Sequence, residues 1–200
     1  MFKTLYRITS AKKRLMLFGL LGAPLVGISQ IDFQEIREMN GMFPDDGNTI
    51  IADVDNDGDL DILSLGQKFM NGKRTYITQL FLNDGDANFT EAVDVPFDDA
   101  YAGDAAFHDV DSDGDLDVII AGQHTPDQIP TGKLYINQGN AVFTVAESQP
   151  FPAVQDSEVQ FFDFNGDEHL DVFIAGSTGV VGFSRISKIF TGDGNGNYQE

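Results

Sequence analysis

One short acidic pattern returns three times at a nearly constant spacing, and nothing else in the chain limits its fold so tightly. The copies read NTIIADVDNDGDLDILSLG at 48–66, DAAFHDVDSDGDLDVIIAG at 104–122 and EVQFFDFNGDEHLDVFIAG at 158–176. Their first core aspartates, Asp53, Asp109 and Asp163, stand 56 and 54 residues apart. A second segment follows each copy: LFLNDGDANFTE at 80–91, LYINQGNAVFTV at 134–145 and IFTGDGNGNYQE at 189–200. Two different segment types on one period mark a true structural repeat of about 55 residues. The stretch IDFQEI at 31–36 reads as the tail of a preceding copy, with Phe33 in register with Phe89, Phe143 and Tyr198.

Each repeat predicts about four short strands. One enters the acidic segment with alternating apolar residues, such as Ile51 and Val54 or Phe107 and Val110. One leaves it as an apolar run: Ile62-Leu63, Val118-Ile119-Ile120 or Val172-Phe173-Ile174. Two more flank a Gly/Asn turn, as at Asn83-Asp84-Gly85-Asp86 and Asn137-Gln138-Gly139-Asn140, where both residue types tolerate positive φ. The fold class is therefore all-β, with no sustained helical period after the N-terminal region. Four strands per unit at this period is the pattern of a β-propeller blade. Propellers close with about four to eight blades, so about three repeats make an incomplete propeller.

The acidic segments are nine-residue loops at 53–61, 109–117 and 163–171. The first places Asp53, Asp55, Asp57, Asp59 and Asp61 on alternate positions, and the second does the same with Asp109, Asp111, Asp113, Asp115 and Asp117. Calcium takes 6–8 oxygen ligands in flexible geometry. Aspartates at positions 1, 3 and 5 converge when the chain curls, glycine at position 6 permits the sharp turn, and position 9 closes the shell. Position 7, which is Asp59, Asp115 or His169, can offer its backbone carbonyl. Five carboxylates in nine residues repel one another, so ion binding and local folding should be coupled. Magnesium, with its rigid octahedron, fits less well. An EF-hand would need a bidentate Glu at position 12 and flanking helices; position 12 is Ser64, Ile120 or Ile174, and the flanks are strand-like. The third loop offers Asp163, Asn165, Asp167, His169 and Asp171, but Glu168 replaces the turning glycine. It is expected to bind more weakly than the other two.

At these residues the chain resembles the VCBS / FG-GAP repeat family, which includes the α-subunit head of integrins. The shared signature is D-x-[DN]-x-D-G-x-x-D, an apolar strand and a small-Gly pair, here at 53–66 with Leu65-Gly66 a weaker match to the pair, at 109–122 and, with the Glu168 departure, at 163–176. The resemblance extends over about 31–200. It implies a calcium-stabilised β-propeller whose loops serve structure while ligands bind elsewhere.

Residues 1–14 carry five basic and no acidic residues, and 15–28 form an uncharged apolar run. Gly27 and Ser29 occupy the −3 and −1 positions of a cleavage before Gln30, so residues 1–29 are expected to be a signal peptide. The repeat region would then be 30–200, secreted or at the cell surface, with no membrane span left after cleavage. The run is shorter than the ~20 residues of a span. Removing those five positive charges from a formal −20 leaves −25, so the chain would be repelled by phosphate backbones and nucleic acid is not expected as a partner. The absence of Cys excludes disulfides and thiolate metal sites.

No nucleophile elbow, phosphate loop or dinucleotide fingerprint occurs. His108, His124 and His169 share no zinc spacing, and Asp98-Asp99 reads as solvated surface, as do Arg74, Arg185 and Lys188. The chain is expected to be a non-catalytic calcium-binding module for adhesion or for an extracellular protein or polysaccharide ligand. The stretches 67–78 and 123–133 are the candidate ligand loops. The alternatives are the propeller part of a polysaccharide-degrading enzyme and a spacer in a larger surface protein.

Overall fold

A computed structural model of the chain describes residues 4–8, 33–38, 44–70, 72–124, 129–179 and 184–200. They fall into two units, Met1–Asn40 and Gly41–Glu200. In the first, β1 (Thr4–Ile8) pairs antiparallel with β2 (Phe33–Glu38). Phe33 opens β2 opposite Ile8. The apolar run and cleavage position assigned to the signal lie outside the described residues.

The second unit holds three antiparallel sheets, each built from four consecutive strands. The first sheet is β3 (Asp45–Ala52), β4 (Asp61–Met70), β5 (Lys73–Asn83) and β6 (Phe89–Glu91). The second is β7 (Ala100–His108), β8 (Asp117–His124), β9 (Ile129–Asn137) and β10 (Phe143–Val145). The third is β11 (Gln155–Phe162), β12 (Asp171–Thr178), β13 (Ser184–Gly192) and β14 (Tyr198–Gln199). Within each sheet the strands lie side by side in chain order, as in a propeller blade. No helix occurs among the described residues.

The apolar runs leaving the loops are the second strands, and their lack of alternation has a packing cause. Successive side chains point to opposite faces, so a strand covered on both faces must be apolar throughout. In β8, Val118 and Ile120 join Leu63, Leu65 and Leu80 of the first sheet. Ile119 and Ala121, on the other face, join Val159, Val172 and Ile174 of the third. The middle sheet is thus sandwiched between two cores. The entering strand differs from its expected pattern: Ile51 is 48% exposed, while Ile50 and Ala52 pack inward. Val54 and Val110 lie beyond their strands, inside the acidic loops, yet are buried.

Two further repeated features join the blades. The first strands β3, β7 and β11 pack on one another and carry a register shift at matched places: Asp45/Asn48, Tyr101/Asp104 and Gln155/Glu158. There the chain passes so close to the second strand that a Cβ on Gly47 or Gly103 would lie 2.1 Å from the Leu65 or Ala121 carbonyl oxygen. From the other side, a Cβ on Gly66 or Gly122 would lie 2.7 Å or 3.1 Å from the Gly47 or Gly103 Cα, which explains the glycine that ends the motif. Asp104, just after the shift, accepts from Asn48 of the first sheet and from the Val159 N–H of the third (3.0 Å). The linkers contribute the second feature. Phe97 packs against Tyr135 and Phe143 of the blade that follows it, and Phe151 against Phe190 and Tyr198 of the next.

The stretch 67–78 is not a loop: it forms most of a long β4–β5 hairpin, paired out to Met70 opposite Lys73. Likewise β8 runs to His124 and β9 starts at Ile129, so most of 123–133 is paired strand.

Candidate metal centre

Each acidic loop bridges the first and second strands of its blade, and its ninth residue starts the second strand. That aspartate is fully buried in all three copies and acts first as a staple. Asp61 accepts the Val54 N–H at Oδ2 (2.8 Å) and the Asn83 N–H at Oδ1 (2.9 Å). Asp117 accepts from Val110 (2.9 Å) and Asn137 (2.8 Å) in the same way, and Asp171 from Phe164 (2.8 Å) and Gly192 (2.9 Å). One carboxylate therefore closes the loop and ties it to the end of the third strand.

Positions 1, 3 and 9 converge. One carboxylate oxygen each from Asp53, Asp55 and Asp61 lie within 4.8 Å of one another, and the same holds for Asp109, Asp111 and Asp117. Burial pushes the Asp55, Asp61 and Asp111 carboxyls above their usual range, and their acidic neighbours add to the effect. Burial pushes Asp117 up to about 7. Two oxygens in these clusters, Asp53 Oδ1 and Asp111 Oδ1, are buried without a hydrogen-bond partner. Orphaned buried acceptors are costly, and a cation is the partner that satisfies several carboxylates at once. The oxygen donor set suits a hard divalent cation.

The other expected ligands are not among these three-carboxylate groups, though Asp57 and Asp113 adjoin Asp55 and Asp111. At position 5, Asp57 and Asp113 are exposed, and each receives the backbone N–H of position 7 at 2.9 Å. At position 7, side chains lie over the glycine of the blade's second turn. A Cβ on Gly85 would be 2.4 Å from Asp59 Oδ2, and one on Gly194 2.3 Å from His169 Nδ1. Asp115 lies over Gly139 similarly, at 3.4 Å.

The third loop is exposed along 163–169, whereas Asp53, Asp55, Asp109 and Asp111 are partly covered. Its second residue shows why. Val54 and Val110 are 1% and 3% exposed because the following blade covers them, but Phe164 is 60% exposed. Both Asp163 oxygens already accept backbone N–H groups, from Gly166 (2.6 Å) and Glu168 (3.2 Å). Asn165 accepts the Asp167 N–H (2.9 Å) and donates to its carboxylate (2.8 Å). Asp167 in turn accepts the His169 N–H, which holds its carboxyl below the usual range.

Two of the histidines contact the neighbouring strand or linker. His108 packs against Phe161 at 5.2 Å, and its burial lowers its basicity. His124 Nδ1 faces the Asp99 carbonyl at 3.2 Å. Asp98-Asp99 is not solvated surface. Asp98 pairs with Lys133 at 2.7 Å and accepts from Thr131, while half-buried Asp99 accepts the Thr78 N–H at 3.1 Å. Lys188 is likewise tied to Glu200, and Arg74 and Arg185 are exposed.

In the sequence Asn137 looks like turn chemistry alone. It is fully buried, and its side-chain amide donates to Leu116 of its own loop (3.3 Å) and to Val54 of the preceding blade's loop (2.9 Å). The Gly196 N–H gives the matching bond to Val110 (2.7 Å). Only the repetition of Asn83 and Asn137 in the sequence hinted at this role.

Four-stranded blades whose acidic loops are clamped by the next blade define a propeller-type repeat module. The chain belongs to the FG-GAP-like repeat family, which it matches at residues 53–120 and 109–174, together more than half its length. No curated protein and no solved structure matches it.

Proposed function

We propose that this chain is an extracellular, non-catalytic binding module whose loops at 53–61 and 109–117 each hold a calcium ion. Asp53, Asp55 and Asp61 would hold the first ion, and Asp109, Asp111 and Asp117 the second. The ions neutralise buried charge and lock each loop against the neighbouring blade. The observation that carries this reading is the pair of buried, partnerless oxygens, Asp53 Oδ1 and Asp111 Oδ1, inside the two convergent clusters. The third loop binds more weakly, because its surface is open to water and, unlike Asp53 Oδ1 and Asp111 Oδ1, no oxygen of it is held buried and unpartnered for an ion. With calcium in place, the blades present a rigid surface for an extracellular protein or polysaccharide, in keeping with the FG-GAP-like family and the N-terminal export pattern.

Melting the protein with calcium and with a chelator tests the metal role. A ligand at about 100 times its Kd contributes ~2.7 kcal/mol per site. Two sites should therefore raise Tm by roughly 10–20 °C in a chain of this size. An unchanged Tm on chelation would remove calcium from this account.

A further inference from the structure

We propose that Asn56 couples the two calcium loops, so that filling the 109–117 loop strengthens binding in the 53–61 loop. This rests on the calcium reading above.

Asn56 stands at position 4 of the first loop, between Asp55 and Asp57, with φ at +62°. Its side chain reaches out of its own loop and into the next one. Its amide nitrogen donates to Asp115 Oδ1 at 2.7 Å and to the Gly114 carbonyl at 3.3 Å. Both partners belong to the turn that shapes the second loop. The Gly114 N–H bonds Asp109 Oδ2 at 3.0 Å, and the Asp115 N–H bonds Asp113 Oδ1 at 2.9 Å. The Gly114–Asp115 peptide thus bonds Asp113 through its N–H and Asn56 through its carbonyl, and the peptide before it bonds Asp109.

An ion held by Asp109, Asp111 and Asp117 fixes that turn in place. Asn56 then meets two fixed acceptors, which orders the residue between Asp55 and Asp57 before the first ion arrives. A ligand can shift another site only through such differential contacts, and the coupling is reciprocal. The link does not extend to the third loop. Ser112, at position 4 of the second loop, donates instead to the Gly194 carbonyl of the third blade's second turn, at 3.1 Å. Position 4 of the third loop is Gly166, which has no side chain to hand on.

The test is calorimetric calcium titration of the full chain in a mutant cycle. Asp111→Asn weakens the second site. Asn56→Gly removes the link and keeps the loop conformation, since glycine accepts that φ without strain. In the otherwise unchanged protein, D111N should lower the first site's affinity about five-fold or more. In the N56G background D111N should change it less than about two-fold, within ordinary coupling scatter. The reciprocal variant, Asp55→Asn, should lower second-site affinity by the same factor. Equal loss of first-site affinity in both backgrounds, or none in either, overturns the coupling. If calcium neither gives heat nor raises the Tm of the wild-type chain, the calcium reading falls as well, so the two failures are told apart.

Discussion

Positions 4 and 6 of every acidic loop adopt positive φ: Asn56 and Gly58, Ser112 and Gly114, Gly166 and Glu168. Glycine occupies position 6 in the first two loops and position 4 in the third. Glu168 therefore sits at +72°, where a side chain is strained, while Gly166 relieves the position that Asn56 and Ser112 hold under strain. The sequence made the loss at Glu168 visible, but not the compensating gain at Gly166, because position 4 is never glycine in the other copies. Glu168→Gly should raise stability by about 1 kcal/mol, read as a shift in urea midpoint at unchanged slope. A fall in stability would show that the Glu168 side chain contributes something beyond strain. The buried carboxylates set a pH dependence. The Asp117 carboxyl is raised from 3.8 to about 7, so between those values the folded, chelated protein holds a proton that the unfolded chain has released. Stability of the calcium-free protein should then fall as pH rises from about 4 to 7, and calcium affinity should rise over the same window. Urea unfolding in chelator at several pH values measures the first, and the opposite slope would contradict it.

At the level of elements, the strands themselves were legible because each blade repeats them and because the second strands, covered on both faces, read as unbroken apolar runs. What joins one blade to the next was not legible. The Pro-Phe pairs at 96–97 and 150–151 look like linker composition, yet each Phe enters the aromatic cluster of the following blade. Asp98 and Asp99 look like surface acid, yet they hold the blade junction through Lys133, Thr131 and Thr78. Asp104 lies at a register shift that no local pattern announces, and it touches all three sheets. These roles depend on partners tens of residues away, so no window of sequence contains them. Phe151, only 6% exposed between Phe190 and Tyr198, should be the costliest of the linker positions. Phe151→Ala is expected to cost about 3–4 kcal/mol by denaturant unfolding. A loss under 1 kcal/mol would mean that the linker packs loosely and that the blades dock without it.

Across the second unit, protection should follow the two cores. The middle sheet meets a core on each face, whereas Phe173 of the third sheet's second strand is only partly covered. Amide hydrogen exchange should therefore be slowest in β8 and faster in β12, with the 163–171 loop fastest of the three acidic loops. Uniform rates through the unit would instead indicate a single cooperative block. The charge of the chain acts at this scale too. At a formal −20 it opposes its own compaction, so salt and divalent cations should both favour the folded state, the second far more efficiently.

The bond from the Asn137 side chain to the Val54 carbonyl joins residues 83 positions apart. During synthesis the first acidic loop leaves the ribosome long before that partner exists. At about 5–20 residues per second, the delay is several seconds. Through that interval Val54 has no following blade to cover it, as Phe164 has none in the structure itself. The growing chain therefore always carries one raw apolar edge, renewed with each blade. An early calcium ion could shape the loop behind that edge, but only the next blade can hide it.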